Sequence, residues 1–507
     1  MSKRALFWVG ALVACLTVTT GIAIVLRPQA DPRSAAAPAS DPPSTVPPTA
    51  PSGGLPATVT VAAGTELGAL DNPARYQNQS GPSQTLTPLD EKRIAQLEPV
   101  VLRGWFKPES YYDHLTDSYD FDYPTPGGGK RFYAYADQLD RLSEQIFANF
   151  DQCDPELMTP NDPGRCRAVL KAGIRHYKER YPSLRYIELF NEPDKTWEPS
   201  PVERAPISAA DYYTWYKVGY SIVNELNEEL APAVPLRIGG PAAYTFDSPF
   251  LKEFLDRFRA DSEPTKRLDF LSYHQYRRRD DPASAQTEKK TAQQWLSERD
   301  LDPATPVYVT EYGVFPGANT GTTFEEDLLT QAAAMSTLGY YYVAGGTDMV
   351  MHWVFDHGEN DRKSLLVDGA DGKVNPYYNL VAMQRKLKSQ RIKATAGPLS
   401  PKGIGVNALA TRDRTGIAIL ATNYQWTDGT AQYLVDLRVD DLPSEYTKGN
   451  ILVERYLVDA TTSNYAYDPT RSDLQRVERY TIPATSSLTA TFHLGRNAMS
   501  LVVVTPF

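Results

Sequence analysis

Two carboxylates stand where two strand-like runs stop. Residues 186–194 read YIELFNEPD, an apolar, aromatic-rich run that ends in Asn191-Glu192-Pro193. Pro193 has no N–H to give to a ladder, so strand pairing is expected to stop there and leave Glu192 at the strand's carboxyl end. Residues 307–313, VYVTEYG, repeat the design with Glu311. The two glutamates are 119 positions apart (311 − 192). Taken singly, either one reads as a solvated loop carboxylate. As a pair at the ends of parallel strands, where α/β folds hold their ligands, they are equipment for cleaving a glycosidic bond. That reaction passes through an oxocarbenium-like state. It needs one protonated carboxyl for the departing oxygen and one ionised carboxylate at the anomeric carbon. Glu192 suits the acid/base role, with a pKa expected to be raised by burial and by a neighbouring carboxylate. Glu311 suits the nucleophile and requires donors or a cation beside it.

Further polar and aromatic residues fall at other strand ends. Arg103 and Trp105 close the second strand, and Arg103 is the expected source of positive charge, against the plainer reading of a salt-bridged surface arginine. Asn191 offers an amide to a sugar hydroxyl, or simply forms a turn. His274 and Tyr276 close the sixth strand, and Trp353 closes the eighth as a stacking floor for a sugar or as a core side chain. The sixth loop continues Arg277-Arg278-Arg279-Asp280-Asp281. Three guanidinium groups there suit an acidic polysaccharide, unless the aspartates and solvent neutralise them.

What positions these residues is an alternation of strand and helix patterns over residues 57–391. The strands are placed at 99–106, 146–150, 186–192, 236–240, 268–274, 305–311 and 348–355. The first strand is the hardest to place and is set near 68–70. This is the pattern of an eight-stranded (β/α)8 TIM barrel, an α/β fold, with Glu192 on the fourth strand and Glu311 on the seventh. Residues 57–63 fit a strand of either domain. Over residues 392–507, seven short alternating runs divided by turn residues predict an antiparallel β-sandwich accessory domain.

The Asn-Glu-Pro at the fourth strand, the glutamate at the seventh, His274-x-Tyr276 and Trp353 resemble the retaining glycoside hydrolases of clan A. Gly239-Gly240-Pro241, the 272–276 segment and the added sandwich are most similar to glycoside hydrolase family 39. The resemblance spans roughly 60–507. It implies that Glu192 is the acid/base, Glu311 the nucleophile, Asn191 a contact of the 2-hydroxyl and Tyr276 a hydrogen-bond donor to the nucleophile. Residues that the first strand would contribute cannot be carried over. A catalytically silent carbohydrate-binding or scaffold protein on the same fold, and a transglycosylase, are the competing readings; the presence of both carboxylates speaks against the silent one.

The chain has 507 residues and a formal net charge of −10, which argues against a nucleic-acid partner. Its 31 Tyr and 7 Trp offer flat amphipathic surface of the kind sugars use. Cys153 and Cys166 flank a Pro- and Asp-rich loop and are expected to form a disulfide outside the cytosol, two free thiols being the alternative. No Cys/His spacing suits a zinc site, and no metal or organic cofactor is expected. Within residues 1–27, the stretch 5–26 carries no charge and follows Lys3 and Arg4. A helix of that length spans a hydrocarbon core of about 30 Å, so a single-pass membrane anchor is expected, with the catalytic domain outside. A cleaved signal segment, giving a secreted protein, is the alternative. Residues 28–56 are rich in Pro, Ala and Ser and read as an extended tether.

Overall fold

The structure is a computed structural model and describes residues 53–81, 85–122, 129–158, 163–195, 206–314, 324–357, 363–426 and 430–507, without the side chains of 129–132 and 324–327. The expected membrane stretch 5–26, and the tether up to residue 52, lie outside the described residues. Among the described residues no helix is long and apolar enough to cross a membrane.

Eight strands, Tyr76–Asn78, Val101–Phe106, Gln145–Phe150, Leu184–Leu189, Arg237–Ala243, Leu271–Gln275, Val307–Tyr312 and Met349–His352, pair in chain order and close into a barrel. Neighbours run parallel, and closure rests on a bridge between His352 and Gln77. Helices follow each strand, among them Pro88–Leu97, Ala209–Leu230 and Pro249–Ala260. Their starts are set by local chemistry. The hydroxyls of Thr87, Ser208 and Ser248 accept from the backbone N–H of Asp90, Asp211 and Phe250, satisfying donors that a helix start would leave orphaned.

The first barrel strand differs from expectation. Residues 68–70 are not its end; Gly68 belongs to the strand Leu55–Ala69, which lies in the second sheet. The true first strand, Tyr76–Asn78, is three residues long and mostly polar, so it shows neither apolar run nor period. Asn78 justifies its place: Nδ2 donates to the carbonyls of Thr310 and His352 at 3.0 and 3.2 Å, lacing the first strand to the seventh and eighth.

Strand alternation layers the lumen. Tyr76, Val101, Phe147, Tyr186, Phe270, Tyr308 and Met349 form one buried cluster, with rings such as Phe270 and Tyr308 stacked 4.7 Å apart. Two residues further along stand Asn78, Arg103, Asn149, Glu188, Ser272 and Thr310, while Met351 of the eighth strand stays with the apolar cluster. An aromatic floor thus carries a polar storey, and the strand ends stand above it.

The second sheet has nine strands and is mostly antiparallel. Leu55–Ala69 pairs in parallel with Tyr433–Asp440 and antiparallel to Gln390–Gly397. Its buried Ala57, Val59, Val61 and Ala63 are separated by exposed or half-buried residues, as suits a sheet with one apolar face. Arg455, near one end of the strand order, lies 5.3 Å from the ring of Phe492 at the other end, so the sheet folds over one core as a sandwich does. Cys153 and Cys166 are joined as a disulfide, with Cα atoms 6.0 Å apart.

Candidate active site

Backbone geometry brings the two glutamates inward by two different devices. The fourth strand ends at Leu189, three residues short of the expected 192. Phe190 and Glu192 then take φ of 63° and 46°, left-handed values that cost a non-glycine residue about 1–3 kcal/mol each and gather at functional sites. Glu192 N–H is held by the Ala242 carbonyl at 3.1 Å. On the seventh strand the register against the sixth shifts between Val309 and Glu311. That irregularity lets both Thr310 and Glu311 reach the lumen, where strict alternation would turn one away.

Arg103 organises the centre. It is fully buried; Nη1 donates to Glu311 Oε1 at 2.7 Å, and Nε and Nη2 lie 2.9 and 2.8 Å from Glu188 Oε2. Nη2 also donates to Asn191 Oδ1 at 2.9 Å, and Nη1 to Asn78 Oδ1 at 3.3 Å. The surface reading of Arg103 is excluded. Tyr276 Oη donates to Glu311 Oε2 at 2.8 Å, so both oxygens of Glu311 are held.

His274 stands between the glutamates, its Nδ1 2.8 Å from Glu192 Oε1 and 3.5 Å from Glu311 Oε2. With both carboxylates ionised, both neighbours are acceptors, so Nδ1 carries a proton. Its Nε2, like Trp105 Nε1, is buried without a hydrogen-bond partner. Lys195 Nζ lies 3.1 Å from Glu192 Oε2.

The pKa of Glu192 departs from expectation. Burial pushes it up, but hydrogen bonds from His274 and Lys195 outweigh burial and hold the carboxyl below its usual range. Glu188 is likewise held low: burial raises it, while Arg103, His274 and Ser272 lower it.

One oxygen each of Glu192 and Glu311, with a His274 nitrogen, lies within 4.8 Å of the others. By spacing alone that trio could ligate a metal. Arg103 and Lys195 already neutralise the same carboxylates, and a divalent cation would have to sit against both positive charges, so the donor set fits an organic substrate better. Trp353 is buried and pairs with Trp105, ring centroids 5.6 Å apart, in a small cluster with Tyr276 and Val354.

The three arginines of the sixth loop part company. Arg278 binds Glu288 and Asp247, and Arg279 lies 4.7 Å over the ring of Trp426. Only Arg277 is exposed. The residues that sequence reasoning missed are Glu188, Lys195, Asn78 and Ser272. Glu188 was findable: it lies two positions after Tyr186 inside a strand, on the same face. Asn78 and Ser272 carry no such sequence signal.

No protein-family model matches the chain, and no curated protein matches it either. Its fold is nonetheless shared with solved glycoside hydrolases. A glucosidase from Croceicoccus marinus is 17% identical with a TM-score of 0.65, the match covering 89% of this chain and 100% of that one. A monomeric β-xylosidase from Caulobacter crescentus is 13% identical with a TM-score of 0.67, covering 89% and 99%. A glycoside hydrolase family 39 enzyme from Xanthomonas axonopodis pv. citri is 14% identical with a TM-score of 0.64, covering 89% and 98%. The resemblance to family 39 thus extends over barrel and sandwich together.

Proposed function

We propose that this protein is a glycoside hydrolase that cleaves glycosidic bonds of a polysaccharide or oligosaccharide by double displacement. The observation that carries the reading is that the two glutamates meet on one nitrogen, His274 Nδ1, at 2.8 Å from Glu192 and 3.5 Å from Glu311. Carboxyl groups that share one neighbour leave little room for the extra water of an inverting enzyme, whose carboxyls stand about 6.5–9.5 Å apart, and suit the closer pair of a retaining one. In the first step Glu311 forms an ester to the anomeric carbon as the glycosidic C–O bond breaks, and Glu192 passes its proton to the departing oxygen. In the second, Glu192 takes a proton from water, the water oxygen bonds to the anomeric carbon, and the ester to Glu311 breaks. Two inversions leave the configuration retained. Arg103 and Tyr276 hold the nucleophile before and after.

The proton on Glu192 has a pH signature. Because its neighbours hold it below the usual carboxylate range, kcat/KM for alkyl glycosides should rise as pH falls from neutral toward that range. Aryl glycosides with acidic phenols, which leave without help, should respond less. The deciding experiment follows hydrolysis by proton NMR: the first-formed product is expected to keep the anomeric configuration of the substrate. An inverted product overturns the mechanism, and no turnover on any glycan or aryl glycoside overturns the function. In this proposal the uncharged stretch 5–26 anchors the enzyme with the barrel outside the membrane, acting on cell-envelope or secreted polysaccharide; fractionation that finds the full chain in the cytosol would overturn that placement.

A further inference from the structure

The two sides of the barrel mouth are built of different chemistry. On the side of the eighth and second strands stand Trp353 and Trp105, an uncharged aromatic pair. Across the closed barrel, at the ends of the fourth, fifth and sixth strands, stand Lys195, Tyr244 and Arg277. Lys195 Nζ lies 4.3 Å and Arg277 Cζ 4.9 Å from the centroid of the Tyr244 ring. The cluster is held in place from behind. Tyr244 N–H donates to Asp194 Oδ1 at 2.8 Å, and Ser248 Oγ donates to the other oxygen of that carboxylate at 2.6 Å. Arg277 N–H donates to Gln275 Oε1 at 3.0 Å. Among the described residues the Arg277 guanidinium has no carboxylate partner, unlike that of Arg278 beside it.

Resting on the function proposed above, we infer that the Lys195–Tyr244–Arg277 cluster is the leaving-group subsite and that it selects a sugar residue bearing a carboxylate. The general acid must face the oxygen of the departing residue, and Lys195 contacts that acid directly, 3.1 Å from its Oε2. A departing sugar therefore lies beside Lys195 and Tyr244. A uronate carboxylate there has two cations to meet, gathered on the Tyr244 ring, one of them able to bind both oxygens. A neutral sugar would leave both cations facing its hydroxyls and gain little from them. The same contact has a second consequence. Lys195 helps keep Glu192 ionised in the resting enzyme, so a substrate carboxylate that draws the ammonium toward itself makes the proton easier to hold on Glu192, where leaving-group protonation needs it. Selection and acid catalysis would then be served by one lysine.

The experiment first identifies the accepted glycone with a panel of aryl glycosides on the full chain. It then compares two disaccharides with that glycone, one with glucuronic acid and one with glucose in the departing position. The wild type is expected to favour the uronate in kcat/KM by about tenfold or more, the effect of one hydrogen bond to a charged group. Lys195→Met and Arg277→Met are each expected to shrink that ratio toward unity, and Arg277→Lys to keep part of it. Melting temperatures check that the variants fold, and the ratio is internal to each variant, so a general loss of activity does not imitate the result. Cleavage of aryl glycosides without preference between the disaccharides overturns the subsite and leaves the glycosidase standing. So does a preference that survives both methionine variants. No cleavage of any glycoside by the wild type overturns both together.

Discussion

The barrel mouth and the second sheet solve opposite problems within one chain. In the sheet, burial follows a simple rule: Val435, Leu437 and Val439 are buried at every second position of their strand and meet Val59, Val61 and Phe492 in a common apolar core. The mouth breaks that rule. There Arg103, Glu188, His274 and Glu311 are buried together, two residues are held in left-handed backbone, and the seventh strand shifts register. Charges out of water are destabilising unless paired and bonded, by several kcal/mol each. The mouth accepts that cost and offsets it with a connected network; the sheet never incurs it. Stability is therefore expected to reside in apolar contacts in one region and in ionic complementarity in the other, and only the second region can do chemistry.

The sharpest way to break that contrast is Glu311→Ala. Turnover is expected to fall by about six orders of magnitude, as for loss of a nucleophile, while thermal melting shows a folded protein, because Glu188 still pairs with Arg103. Glu188→Gln should hurt both properties. It leaves a buried guanidinium with half its charge partner, at a cost of about 3–5 kcal/mol in denaturant unfolding, and it frees Arg103 to shift, lowering kcat about 10- to 100-fold with little change in KM. Leu437→Ala should do the reverse of Glu311→Ala. A cavity in the second core should cost about 2–5 kcal/mol while kcat/KM of the folded enzyme stays as it was; a large loss of activity would mean that the sheet shapes the mouth.

The smallest expected effect is on acid stability. His352 is fully buried against Tyr377 and Gln384, and burial lowers its pKa from 6.5 to about 3. Below its ordinary pKa the unfolded chain binds a proton that the folded barrel refuses. The stabilisation is thus complete above that value and is lost progressively as pH falls toward about 3. Melting temperature should drop between about pH 7 and pH 5. His352→Gln, less stable at neutral pH, should show a shallower drop, because nothing titrates there.

Glu192, Glu311, Asn191, His274 and Tyr276 could be placed near one another from the sequence, because each falls at or just past the end of a strand that its residues announce by themselves, whereas Arg103 stands inside its strand, Val101–Phe106. Strands such as 145–150 and helices such as 209–230 follow from local pattern in the same way. Other features depend on contacts between distant segments. Tyr76–Asn78 is a strand only because Asn78 has carbonyls of the seventh and eighth strands to bind. Leu55–Ala69 carries a period that suits either domain, and the partners Gln390–Gly397 and Tyr433–Asp440, far along the chain, assign it to the second sheet. The three adjacent arginines look alike in the sequence, yet Glu288, Trp426 and Tyr244 give them different tasks.

The sequence by itself determined which residue types stand at the strand ends and in what order, since propensity, proline placement and strand period are local properties. The tertiary structure alone decided that Glu188 shares one guanidinium with Glu311, that His274 comes between the two glutamates, and that against the upward push of burial His274, with Lys195, holds Glu192 below its usual range. Those facts arise from through-space distances, such as that between Arg103 and Glu188, 85 positions apart in the chain, and a charge responds to what surrounds it rather than to what precedes it.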